Sequence, residues 1–210
     1  MTALLVHKRL DDPIAHRNGS IITVAQYLAD VQFCADKLPD AEYVLLACQD
    51  RYAFAVGFGA ALKRGQISLL PSTHTEELIA QLSDTYENTY CLTDEADCSI
   101  KLPQTNITKW LLQAQPLTEL AIPHFPIEQV AALVFTSGST GLPVAHKKTW
   151  GKLIINVQSE GKRLGVVPGS GYTIIGTVPP QHMYGFESTV LITMQNACAF
   201  ESSKPFYPAD

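Results

Sequence analysis

Residues 136–141, Thr-Ser-Gly-Ser-Thr-Gly, hold the densest set of chemistry-bearing groups in the chain. They follow the apolar run Val130-Ala-Ala-Leu-Val-Phe135, which reads as a buried strand. Glycine lets a backbone approach a ligand closely and adopt conformations that other residues avoid. Hydroxyls and backbone N–H groups gathered in such a turn form a concavity suited to phosphate oxygens. The same composition also makes a polar turn with no ligand. Two motifs of similar appearance do not fit. A Walker A loop needs a lysine after its last glycine, and Leu142 follows Gly141. A nucleophile elbow needs G-x-S-x-G, and Ser137 stands where the first glycine belongs. A serine hydrolase working through Ser139 would lack that glycine, and a fluorophosphonate probe would test it. Gly57-Phe-Gly59 has the start of a dinucleotide fingerprint but falls inside a predicted helix, so it is set aside.

A second segment, Val178-Pro-Pro-Gln-His182-Met-Tyr-Gly185, carries the other candidate, His182. A histidine at a helix start serves either a site or merely a cap or core contact. Lys147, Lys148 and Lys152 form the densest basic group, beside the Gly/Ser/Thr loop. They would pair with phosphate or line a solvated helix start. His7, His16, His74 and His124 show no metal-ligand spacing, so no metal site is predicted, and His146 is expected at the surface.

The elements that must position these groups alternate. Asn18-Gly19 between short apolar runs predicts a hairpin with a type I′ turn. Thr23 and Gln26 predict a capping box for a helix over 24–38. Tyr43–Cys48, Ile67–Leu70 and Tyr90–Thr93 read as buried strands. Helices over 51–64, capped by Asp50 and ended by Gly65, and over 75–83 lie between them. This rhythm predicts an α/β fold with a parallel sheet. Residues 1–93 read as a first lobe and 94–129, with four prolines, as a connector that includes a helical turn near 109–113. In 130–210, a helix from Lys148 to Gly165, a strand over 172–178, a helix over 184–196 and a strand from Ala197 are expected.

The chain has 210 residues, 46% apolar and 17% charged, which excludes a disordered or fibrous chain. A formal net charge of −5 with scattered basic residues argues against nucleic acid as a partner. Five cysteines without a CxxC pair point to reduced thiols and a cytoplasmic setting, with Cys48 and Cys91 in the core. The first residues lack the apolar run of a signal peptide, and no stretch predicts a membrane span.

Phe135-Thr-Ser-Gly-Ser-Thr-Gly-Leu-Pro143 resembles the phosphate loop of the adenylate-forming (AMP-binding) enzymes, which include acyl- and aryl-CoA synthetases, nonribosomal-peptide adenylation domains and luciferases. The Pro-His-Gly pattern of 178–185 resembles that family's next motif, in the right order and at the right spacing. The alternating elements upstream resemble the start of its large N-terminal domain, so the resemblance covers essentially the whole chain. It implies a layered parallel-sheet N-terminal region and ATP- and Mg²⁺-dependent activation of a carboxylic acid to an acyl-adenylate. Coenzyme A or a carrier-protein thiol would then accept the acyl group. By the same resemblance, Thr136, Ser137, Gly138, Ser139, Thr140 and Gly141 hold the β- and γ-phosphates. His182 borders the carboxylate pocket and the α-phosphate.

Two departures stand out. Many members continue the loop as Gly-x-Pro-Lys-Gly, whereas Val144 and Ala145 occupy the Lys and Gly places here. Lys148, in Lys148-Thr149-Trp150, resembles a displaced lysine that reaches back to phosphate. Members of the family are also usually much longer. The adenine-binding segment, the acidic Mg²⁺ contact, the ribose-binding aspartate and the C-terminal domain with its lysine have no counterpart in residues 1–210. The expectation is a truncated domain: part of a longer enzyme, one half of an enzyme completed by a second polypeptide, or a catalytically incomplete nucleotide- or protein-binding remnant.

Overall fold

The computed structural model describes residues 1–137 and 143–203. Strands β1 (Thr2–Ala3), β2 (Pro13–Arg17) and β3 (Ser20–Thr23) open the chain. Helices and strands then alternate as α1 (Val24–Ala35), β4 (Tyr43–Leu46), α2 (Arg51–Lys63), β5 (Ile67–Leu70), α3 (Glu76–Thr85) and β6 (Thr89–Thr93). The three helix starts carry the expected caps. Thr23, Asp50 and Thr75 accept from the backbone N–H groups of Gln26 (3.4 Å), Ala53 (2.8 Å) and Leu78 (3.4 Å). The capping box is only half formed, because the Gln26 side chain donates to Asp30 and the Ala114 carbonyl instead. Asn18 (φ 51°) and Gly19 (φ 76°) make the left-handed pair of the β2–β3 hairpin.

The connector is more regular than expected. It supplies β7 (Gln104–Asn106) and β8 (His124–Phe125), besides the turn that follows Ile107. Then come β9 (Val130–Ser137), β10 (Pro143–Thr149), α4 (Trp150–Leu164) and β11 (Thr173–Ile174). A helical stretch follows as α5 (Met183–Gly185), a π-helical turn (Phe186–Leu191) and α6 (Ile192–Gln195), and β12 (Ala199–Glu201) comes last.

The central sheet has the order β10-β9-β5-β4-β6-β7, parallel except for β10, which runs antiparallel to β9. A second sheet, β11-β12-β2-β3, joins the hairpin near the start of the chain to its last described strand. Along β4, Val44 and Leu46 enter one apolar cluster and Leu45 the other, the two-residue alternation of a strand buried on both faces. The larger cluster holds α1, α2 and α4; the smaller holds α3. Every residue of α2 from Arg51 to Leu62 is buried. Its glycines allow this contact: a Cβ at Gly57 would stand 2.7 Å from Leu92 Cδ2.

Three expectations are corrected. Thr136 and Ser137 lie on β9 rather than in a loop, paired with Val144 and Pro143. Lys148 sits on β10 rather than at a helix start, and α4 begins two residues later. Of the strand expected over 172–178, only Thr173–Ile174 pairs, because the carbonyls of Gly176 and Val178 bond to Arg51 instead.

Candidate functional site

Helix α2 follows β4 onto one face of the sheet, and α3 follows the neighbouring β5 onto the other. Adjacent strands whose helices diverge in this way leave a crevice outside their carboxyl ends, where open α/β sheets bind ligands. Both motifs singled out in the sequence reach this edge. Leu70 near the end of β5 pairs with Val134, so β9 runs on past it to Thr136 and Ser137. Gly138, Ser139, Thr140 and Gly141 lie outside the described residues, and of Thr136 and Ser137 only the backbone pairing is described.

The His182 segment arrives from the other side. Gln181 is buried, and its Nε2 donates to the carbonyl of Cys48, just past the end of β4. His182 is half-buried; its N–H donates to Pro179 O (3.1 Å) and its carbonyl accepts from Phe186 N (2.8 Å). The glycine three residues on has a steric reason. A Cβ at Gly185 would run into the carbonyl oxygens of Pro179 and Val178. The helix start is thereby folded tightly onto the segment that leads into it.

Arg51, the first residue of α2, fixes that segment from below. It is 1% exposed, and its guanidinium donates to the carbonyls of Gly176 (2.6 Å), Val178 (3.1 Å) and Ser203 (2.8 Å). Beside it the Asp94 carboxylate accepts from the N–H groups of Gln49 (2.9 Å) and Asp50 (2.7 Å). Asp50 also takes Arg17 Nε at 3.1 Å. Arg51 and Gln181 escaped the sequence reading. An arginine inside an otherwise apolar helix was the available signal, since arginine is almost never fully buried unless paired.

Lys148 is placed apart from the other candidates. It pairs with Ala132, and at about 3.3 Å per residue it lies about 17 Å down β10 from Pro143. Its charge acts on Glu187 in the π-helical turn. Burial raises the Glu187 pKa above the ordinary range, opposed by the bond from Asn156 and by Lys148. The cysteines are all free, and Cys34, Cys48, Cys91 and Cys198 are buried. Burial pushes the Cys34 thiol up to about 12. Among the described residues there is no cluster of three or more metal-ligating side chains, and no helix is long and apolar enough to cross a membrane.

No family model matches the chain. A 4-coumarate–CoA ligase of Rhodobacter capsulatus is 38% identical over 65 residues, which is 31% of this chain and 17% of that protein. Among solved structures, the o-succinylbenzoate CoA synthetase of Bacillus subtilis with its acyl-adenylate intermediate matches with a TM-score of 0.76 at 16% identity. That match covers 95% of this chain and 54% of the synthetase. The same synthetase with ATP and magnesium ion gives 0.75 at 16% identity, over 95% and 56%. A malonyl-CoA ligase with methylmalonyl-CoA and AMP gives 0.73 at 18%, over 94% and 42%. The chain spans about half the length of these solved structures and a smaller share of the curated ligase.

Proposed function

We propose that this chain, whose fold is that of the adenylate-forming, acyl-CoA-synthetase-like enzymes over about half of their length, takes part in ATP-dependent activation of a carboxylic acid. One observation carries the reading: the strand leading into the Gly/Ser/Thr loop and the tethered His182 segment reach the same carboxyl edge of one parallel sheet. In the reaction, a carboxylate oxygen attacks the α-phosphorus of ATP. The bond to the bridging oxygen breaks, pyrophosphate leaves, and an acyl-adenylate remains. Little covalent work falls to side chains, so positioning and charge stabilisation dominate.

Residues Thr136 to Gly141 hold the β- and γ-phosphates, the leaving side of the reaction. His182 stands at the α-phosphate and the carboxylate. Arg51 and Gln181 keep the His182 segment against the sheet. The described residues do not fit a Mg²⁺ site by themselves, because they bring together no group of three or more metal-ligating side chains, and no step is assigned to them through the metal. Coenzyme A or a carrier-protein thiol is the proposed acceptor, in keeping with the methylmalonyl-CoA seen in the malonyl-CoA ligase. A second polypeptide contributing to the site belongs to the same proposal.

The test is ATP–pyrophosphate exchange by the 210-residue chain with Mg²⁺ and a panel of fatty and aromatic acids. Acid-dependent exchange supports the reading, and His182→Ala is expected to abolish most of it. Calorimetric ATP binding without exchange would reduce the function of this chain to nucleotide binding. If the chain shows neither ATP binding nor exchange, the reading is overturned.

A further inference from the structure

His74 lies on the short segment between the end of β5 and the capping Thr75 of α3. Strand β5 is flanked by β4, beyond whose end Gln181 is tethered, and by β9, whose end carries Thr136 and Ser137. The topology therefore sets His74 between the two motifs of the candidate site. Its Nε2 is buried and has no hydrogen-bond partner among the described residues. A buried polar atom left unpaired is costly, and such an atom in a folded protein calls for an explanation. His182 stands close enough to act on it: burial lowers the His74 pKa, and His182 lowers it further. At neutral pH the ring is uncharged, with one N–H donor and one acceptor nitrogen.

We propose that His74 is a second substrate-binding histidine of the crevice, its Nε2–H donating to an oxygen of the carboxylate that is to be activated. The inference rests on the acid-activating reading of this site. A neutral donor suits the position. The carboxylate must stay nucleophilic until it reaches phosphorus, and a single uncharged hydrogen bond orients it without pairing away its charge.

The experiment follows imidazole nitrogens by NMR in the unmodified chain labelled with ¹⁵N-histidine. The probes are benzoate and octanoate, added alone and with a non-hydrolysable ATP analogue and Mg²⁺. The expected result is a shift of His74 Nε2 with carboxylate and none with the nucleotide analogue alone. His74→Phe, which keeps a ring but no donor, is expected to weaken carboxylate binding about ten- to a hundredfold, the loss of one hydrogen bond to a charged group. Nucleotide binding is expected to stay unchanged, and His74→Asn to recover part of the loss. Carboxylate shifts at His182 with His74 unmoved would overturn the proposal and leave the acid-activating reading standing. If neither acid nor nucleotide moves any histidine, both fall together.

Discussion

The two sides of the crevice are built differently. On the β4 side, side chains from distant elements bind the chain ends. Gln181 takes the Cys48 carbonyl, Asp94 takes two N–H groups, and Arg51 takes three carbonyls from segments far along the chain. On the β9 side, β10 is an edge strand, with Val144, Ala145, His146 and Lys147 exposed. Its base is anchored by fully buried Trp150, whose Nε1 donates to Thr2 O at 3.2 Å. The contrast separates two ways of building a sheet edge. The His182 side is held by hydrogen bonds from buried side chains. On the other side, β10 contributes a backbone ladder to β9 and little burial.

If that contrast holds, substitutions on the two sides should differ most in stability. Arg51→Met leaves three carbonyls without their charged donor inside the core. It is expected to cost at least about 3 kcal/mol, since hydrogen bonds to charged groups contribute about 1.5–3 kcal/mol each. Val144→Thr on β10 is expected to stay within about 0.5 kcal/mol, as exposed sites do. Urea unfolding of both variants measures the gap, and equal costs would erase the distinction. Gly185→Ala comes next. Its added Cβ must push the helix start off the Val178 and Pro179 carbonyls, at an overpacking cost of about 1–3 kcal/mol. The His182 ring signals are expected to move in that variant, while those of His146 on β10 stay in place.

The same contrast explains what could be read in advance. Helices α1, α2 and α3 announce themselves through local signals, namely caps and apolar spacing, and β4, β5 and β6 through short apolar runs. Strands β7 and β10 do not. Gln104-Thr-Asn106 and the lysine-rich stretch after Pro143 are polar edge strands, and because neither face of them is fully buried they carry no apolar alternation. The strand foreseen over 172–178 has the right residue types, yet a buried guanidinium claims two of its carbonyls. That competition links residues 125 positions apart or more, beyond any local pattern. At the site, the Gly/Ser/Thr loop and His182 are legible as types and spacings. Arg51, Gln181 and His74 take their places from the sheet, which no local pattern records.

A buried carboxyl that bonds to α2 also gives a pH signature. Asp30 is fully buried and accepts from Tyr52 OH (2.7 Å), Gln26 Nε2 (2.9 Å) and Leu112 N (3.1 Å), so it ties α1 to α2 and to the connector. Burial raises its pKa above the ordinary carboxylate value, against those hydrogen bonds and the Arg17 charge. The folded protein therefore holds this proton more tightly than the unfolded chain. Its contribution to stability is complete below the unfolded value of about 4 and is lost as pH rises through the raised native value. The urea midpoint of wild type is expected to carry this downward component with rising pH, and Asp30→Asn to lack it. The same slope in both proteins would remove Asp30 from the account.

The smallest effect tests where the hairpin directs its charge. Lys148 resembles a phosphate-binding lysine in the sequence, yet its charge acts on Glu187 on the helical stretch that begins after His182. If that electrostatic influence persists in solution, Lys148→Met removes a stabilising charge from the surroundings of a half-buried carboxylate. The Glu187 pKa, already raised by burial, is then expected to rise further. Carboxyl ¹³C titration of Glu187 in both proteins measures it. A rise means that the hairpin is tied to the His182 side near its base, and Lys148→Met should then weaken ATP binding only slightly. An unchanged Glu187 together with a large loss of ATP affinity would place Lys148 at the phosphates instead.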